Sequence, residues 1–180
     1  MGFRVIASVT EIDHGMIINW VKEKGEKWSD QPQEEEIPEI AEIDELQTFV
    51  GGKKKKFSIG TVVNHWNQRI LLWTVGVGEA RRRHRSHQTF VQLWQIIKYW
   101  RSFWYVTDGS KVYPMSIQPE AHLVSKTYMT RVEGDNTRLR DYLARLGRQT
   151  LCYSKSVNML KYSLRLLLFY LKFKTIPVSH

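Results

Sequence analysis

Three acids stand out in a chain that otherwise collects positive charge. Asp44 lies in a stretch of strand character. Asp108 closes an apolar run at Thr107-Asp108-Gly109. Glu133 sits in a helical stretch, with 24 residues between it and Asp108. If the strands carrying Asp44 and Asp108 are neighbours, the two carboxylates face each other across roughly 5 Å. Two like charges that close need a cation between them. Oxygen-only donors suit Mg²⁺ or Mn²⁺ better than zinc. Each acid also has an ordinary reading: Asp108 before Gly109 is a common turn residue, and Glu133 can be a solvated helix residue.

The elements that must position these acids follow from periodicity. The alternation from Glu42 to Val50 predicts a first strand ending at Gly51-Gly52, and Phe57–Trp66 and Ile70–Val77 predict two more in meander. Phe90, Leu93, Trp94, Ile97 and Trp100 follow helical spacing. Trp94, Trp100 and Trp104 read as core rather than as base-stacking platforms. Phe103-Trp104-Tyr105-Val106 predicts a fully buried strand, with Asp108 at its C-terminal end, where open α/β sheets place ligands. A short strand follows at His122-Leu123-Val124, then a helix from Thr130 to Leu146 stopped by Gly147. On it Asn136, Thr137 and Arg140 share the face of Glu133. Val132, Leu139, Leu143 and Leu146 form an apolar stripe about 100° away. A last helix starts after Ser154 as its cap. His65 reads as a packed or capping histidine rather than a ligand. The fold class is α/β, a mixed sheet flanked by helices.

Upstream, Phe3 to Lys24 reads as two short helices around the turn Thr10-Glu11-Ile12-Asp13. This predicts a partial helix-turn-helix over residues 1–27, whose second helix would enter the major groove; a helical hairpin with no DNA role is the alternative. Residues 28–40, with Pro32, Pro38 and Glu34-Glu35-Glu36, read as an acidic linker, and residues 41–175 as the main domain.

Charge points to the partner. From Gln47 onward the chain has 23 of its 27 Lys and Arg but only six of its 18 acids, which favours a polyanion such as nucleic acid. Apolar residues make up 42%, enough for a core and too many for a disordered tail. The lone Cys152 excludes an intrachain disulfide and a multi-cysteine zinc site in this chain. The longest apolar stretch, Leu164–Phe173, is too short to span a bilayer and is interrupted by Arg165 and Lys172. No membrane partner is expected, and the location is expected to be cytoplasmic and nucleoid-associated.

The ordered blocks Glu42-Ile43-Asp44-Glu45-Leu46, Val63-Asn64-His65-Trp66, Tyr105-Val106-Thr107-Asp108-Gly109, Val124-Ser125-Lys126-Thr127-Tyr128, Thr130-Arg131-Val132-Glu133 and Tyr153-Ser154-Lys155-Ser156 carry a resemblance. The chain resembles the transposases of the insertion sequence 1 family over about residues 2 to 175, including the 24-residue gap. The resemblance implies an RNase H-like DDE catalytic domain that cuts and joins double-stranded DNA by phosphoryl transfer. It implies that Asp44, Asp108 and Glu133 bind two Mg²⁺ or Mn²⁺ ions, and that Arg140, seven residues after Glu133, assists at the DNA. Lys126, Arg131, Arg138, Arg145 and Lys155 are the expected DNA contacts; for Lys126 and Arg131 a solvated surface role is the alternative. A homo-oligomer on DNA is also implied. The family's zinc ribbon has no counterpart here, and Gly78–His87 is longer and more basic than the family's turn. A truncated, catalytically inactive DNA-binding remnant or competitor is therefore the second expectation.

Overall fold

A computed structural model of the chain describes residues 2–27, 37–53, 55–67, 69–76, 82–147 and 152–175, with the backbone alone at 82–87. Most of the acidic linker and the first part of the basic Gly78–His87 stretch lie outside the described residues. The chain forms two compact units.

One unit is built on a five-stranded sheet. Its strands are β1 (Ile40–Phe49), β2 (Lys56–Asn64), β3 (Arg69–Gly76), β4 (Trp104–Thr107) and β5 (His122–Val124). Their order is β3-β2-β1-β4-β5. β2 and β3 pair antiparallel, and β4 pairs parallel with both β1 and β5. This is the mixed α/β sheet expected of an RNase H-like fold. The parallel β1–β4 pairing supplies the adjacency that the sequence left conditional.

Each face of this sheet has its own core. β1 alternates: Ala41 and Ile43 join Val62, Leu72 and Tyr105 in one cluster, closed by Phe90, Leu93 and Ile97 of helix α1 (Arg82–Ile97). Val63 and Val106 face the other way, onto Met129 and Val132 at the start of helix α2 (Thr130–Tyr142). Trp94 and Trp100 pack against the first cluster as core side chains. The strand is shifted by one residue from the apolar run, starting at Trp104 and ending at Thr107. Phe103 is 68% exposed and precedes β4, stacked edge-on against Trp104.

Gly60 lets helix α1 settle onto β2. A Cβ there would collide with Leu93 and press on Thr89 at 3.1 Å. We expect Gly60→Ala to cost about 1–3 kcal/mol through overpacking, read as a lower urea midpoint at unchanged slope.

The other unit contains two N-terminal helices, α3 (Phe3–Thr10) and α4 (His14–Glu26), and the C-terminal helix α5 (Val157–Phe173). Asp13 caps α4 by accepting the Met16 N–H at 3.1 Å. Glu11 makes the turn with φ 58°, where glycine would be easier. Helix α4 packs on α5: Gly25 leaves no room for a side chain beside Tyr162, whose hydroxyl donates to Glu26 at 2.9 Å. Ser156 caps α5 by accepting the Met159 N–H at 3.2 Å. Ser154, the expected cap, lies two residues before the cap position, and its hydroxyl donates to the Ser156 carbonyl. Helix α2 also ends earlier than Leu146. Leu143 is extended, and a separate turn of 3₁₀ helix at Ala144–Leu146 buries Leu146.

Candidate metal centre

Asp44 and Asp108 meet through strand register. Ile40, Ala41 and Glu42 pair with Trp104, Tyr105 and Val106. Continuing that register by two residues sets Asp44 level with Asp108, one residue past the end of β4. Both line a cavity of about 260 Å³ together with Glu45, Gln47, Thr89, Ser110 and Tyr113. Asp108 accepts the Ser110 N–H at 2.9 Å, which fixes its carboxylate on the turn.

The electrostatics of this cavity are those of excess negative charge. Burial first, and then the charges of Asp108, Asp44 and Glu45, hold the Tyr113 phenol well above its ordinary pKa. Tyr113 therefore keeps its proton. Glu45 turns one carboxylate oxygen into the interior with no hydrogen-bond partner among the described residues. The carboxylates of Asp44 and Asp108, lining one cavity, are oxygen donors of the kind that a hard divalent cation takes. This donor type is the one that Mg²⁺ and Mn²⁺ share, and it is unlike the nitrogen and sulfur donors that zinc prefers.

A second set of contacts ties β1 to α2. Glu42 is fully buried; its Oε2 accepts the Val132 N–H at 2.8 Å and its Oε1 meets His65 Nδ1 at 2.5 Å. Asn136 donates from Nδ2 to Asp44 Oδ2 at 2.8 Å. Residues 42 and 44 lie on one face of a strand, about 6.7 Å apart. Residues 132 and 136 lie on one face of a helix, about 6 Å apart. The two spacings match, so the pair of bonds fixes the register of helix against strand.

The third predicted acid is placed differently. Glu133 is exposed in the first turn of α2 and does not line the cavity. Among the described residues, no three Asp, Glu, His or Cys side chains converge on one ion position. Arg140 lies two turns along the same helix, in the part that belongs to the other unit.

The expected DNA contacts divide in two groups. Lys126, Arg131 and Lys155 are exposed. Arg138 is exposed but pairs with Asp135 at 3.0 Å. Arg145 serves its own unit: its guanidinium stacks over the Phe3 ring at 4.2 Å and donates to the Met159 carbonyl. Helical spacing places Asn136 on the face of Glu133 without giving its partner, and the sequence reading gives Glu45, Tyr113 and Glu42 no role in the site. His65 is the packed histidine expected, edge-on to Trp66.

Comparison with known proteins adds the family. The family model described as IS1 transposase matches residues 39–174. The chain is 29% identical over 119 residues to the insertion element IS1 protein InsB of Shigella flexneri, covering 66% of this chain and 86% of that protein. The insertion element IS1 9 protein InsB of Escherichia coli strain K12 is also 29% identical over 119 residues, covering 67% of its length.

Proposed function

From the premise that the chain belongs to the IS1 transposase family, we propose that it is a DDE transposase that cleaves an insertion sequence from DNA and joins it elsewhere. The carrying observation is that Asp44, on β1, and Asp108, one residue past the end of the neighbouring parallel strand β4, line one cavity. It lies inside the segment that matches the family model.

Asp44 and Asp108 would hold the divalent cations, with Glu133 joining them from the start of α2. Bound Mg²⁺ or Mn²⁺ supplies activation of the attacking water or 3′-hydroxyl and charge neutralisation at the leaving oxygen. The chain's own groups supply position. The Ser110 N–H orients Asp108, and Asn136 orients Asp44. Arg140, with Lys126, Arg131, Arg138, Arg145 and Lys155, would hold DNA phosphates. The N-terminal helices α3 and α4 would add a DNA-binding segment, and the active form would be a multimer on DNA, associated with the nucleoid. No helix among the described residues is long and apolar enough to cross a membrane.

A second reading, an inactive DNA-binding remnant, is favoured by one observation: Glu133 stands outside the cavity. The test is cleavage and strand transfer by the full chain on duplex DNA carrying the element's ends. Products that form in Mg²⁺ and vanish in EDTA support the enzyme. Salt-sensitive DNA binding with no products in either supports the remnant.

A further inference from the structure

Asn136 is 4% exposed and its amide is used at both ends. Nδ2 donates to Asp44 Oδ2 at 2.8 Å, and Oδ1 accepts from the Thr61 hydroxyl at 3.0 Å. A carboxylate only accepts, so its neighbour at this point must donate. A hydroxyl that donates needs an acceptor on the other side of the same group. A neutral amide meets both demands without adding charge. The Asp44 carboxylate, which can only accept, sets which way the amide faces, and Thr61, fully buried on β2, supports that orientation from the other side, its hydroxyl also lying 3.4 Å from the Asp44 carbonyl.

The consequence falls on Asp44. One of its oxygens is engaged, and among the described residues the other has no partner. A lysine or arginine in place of Asn136 would neutralise the carboxylate and compete with a cation. An amide fixes the carboxylate's rotation and leaves its charge intact. This is the role outer-shell partners play for carboxylates that bind metals.

We propose that Asn136, supported by Thr61, is the positioning residue of Asp44: it holds Oδ2 so that Oδ1 is presented to a divalent cation. This rests on the reading of Asp44 as a metal-binding residue. It assigns Asn136 no contact with DNA or with the reacting atoms. It also explains why a polar side chain is buried on α2 one turn beyond Glu133, where an apolar residue would pack at lower cost.

The test is Mn²⁺ binding to the full 180-residue chain, followed by electron paramagnetic resonance, beside thermal melting without metal. Asn136→Ala is expected to weaken Mn²⁺ binding by about tenfold or more, with the number of ions bound at saturation unchanged. Thr61→Val, which keeps shape and removes the supporting hydroxyl, is expected to weaken it in the same direction by a smaller factor. A purely structural role for Asn136 would lower the melting temperature and leave the Mn²⁺ affinity of the folded protein unchanged; that result overturns the proposal. If Asn136→Ala does not fold, Thr61→Val decides, and wild-type Mn²⁺ affinity in that variant overturns it as well. Asp44→Asn separates the two levels. Loss of a saturable site there, with affinity retained in Asn136→Ala, refutes the positioning role alone. Retained affinity in Asp44→Asn refutes the metal reading beneath it.

Discussion

Asp108→Asn is expected to abolish Mg²⁺-dependent DNA cleavage while DNA binding stays intact or tightens. The substitution keeps size and keeps the oxygen that accepts the Ser110 N–H at 2.9 Å, so the turn after β4 is preserved. What it removes is one of the negative charges that crowd the cavity with Asp44 and Glu45. A bound divalent cation contributes several kcal/mol of charge stabilisation, so its loss corresponds to a fall on the order of 10³-fold or more in rate. DNA binding responds in the opposite sense, because an unneutralised carboxylate repels phosphate. A gel-shift titration at several salt concentrations, beside a cleavage assay, separates the two effects. Cleavage surviving in Asp108→Asn at wild-type rates would remove Asp108 from the metal centre.

Glu42→Ala carries the largest expected effect on stability, about 3 kcal/mol. Glu42 is 0% exposed, and its carboxylate serves the Val132 N–H in the first turn of α2 and the ring of His65. Removing it leaves a buried donor unpaired, at about 1–3 kcal/mol, and forfeits hydrogen bonds to a charged acceptor. Glu42→Gln keeps an oxygen for Val132 and is expected to cost less, about 1 kcal/mol. Urea unfolding would show both as shifts in midpoint with little change in slope. Equal stability of Glu42→Ala and wild type would mean that α2 is not held to β1 by this carboxylate.

The sheet was legible because its strands alternate and its turns carry glycine and charge. Asp44 and Asp108 were legible as positions for the same reason. Their adjacency was not, since no local pattern says that β1 pairs with β4. Glu42 reads as one more member of an acid-rich stretch. The available signal was its place in the alternation, opposite the buried Ala41 and Ile43 and two residues before Asp44. Asn136 was placed on the face of Glu133 by helical spacing, but its bond to Asp44 spans 92 residues of sequence. Local rules failed in two instructive places. Ser154 reads as the cap of the last helix, but that helix starts at Val157, so Ser156 stands at the cap position and Ser154 lies two residues before it. The break at Leu143 has no Pro or Gly to announce it, and it accompanies the full burial of Leu146 in the turn that follows.

The most direct test of the metal centre is anomalous diffraction from crystals of the chain grown with Mn²⁺. A Mn²⁺ peak at about 2.1–2.2 Å from carboxylate oxygens of both Asp44 and Asp108, with Glu133 drawn toward it, is the predicted result. Mn²⁺ bound elsewhere, or carboxyl groups of Asp44 and Asp108 more than roughly 10 Å apart, would contradict a shared two-metal site, whose ions sit about 4 Å apart.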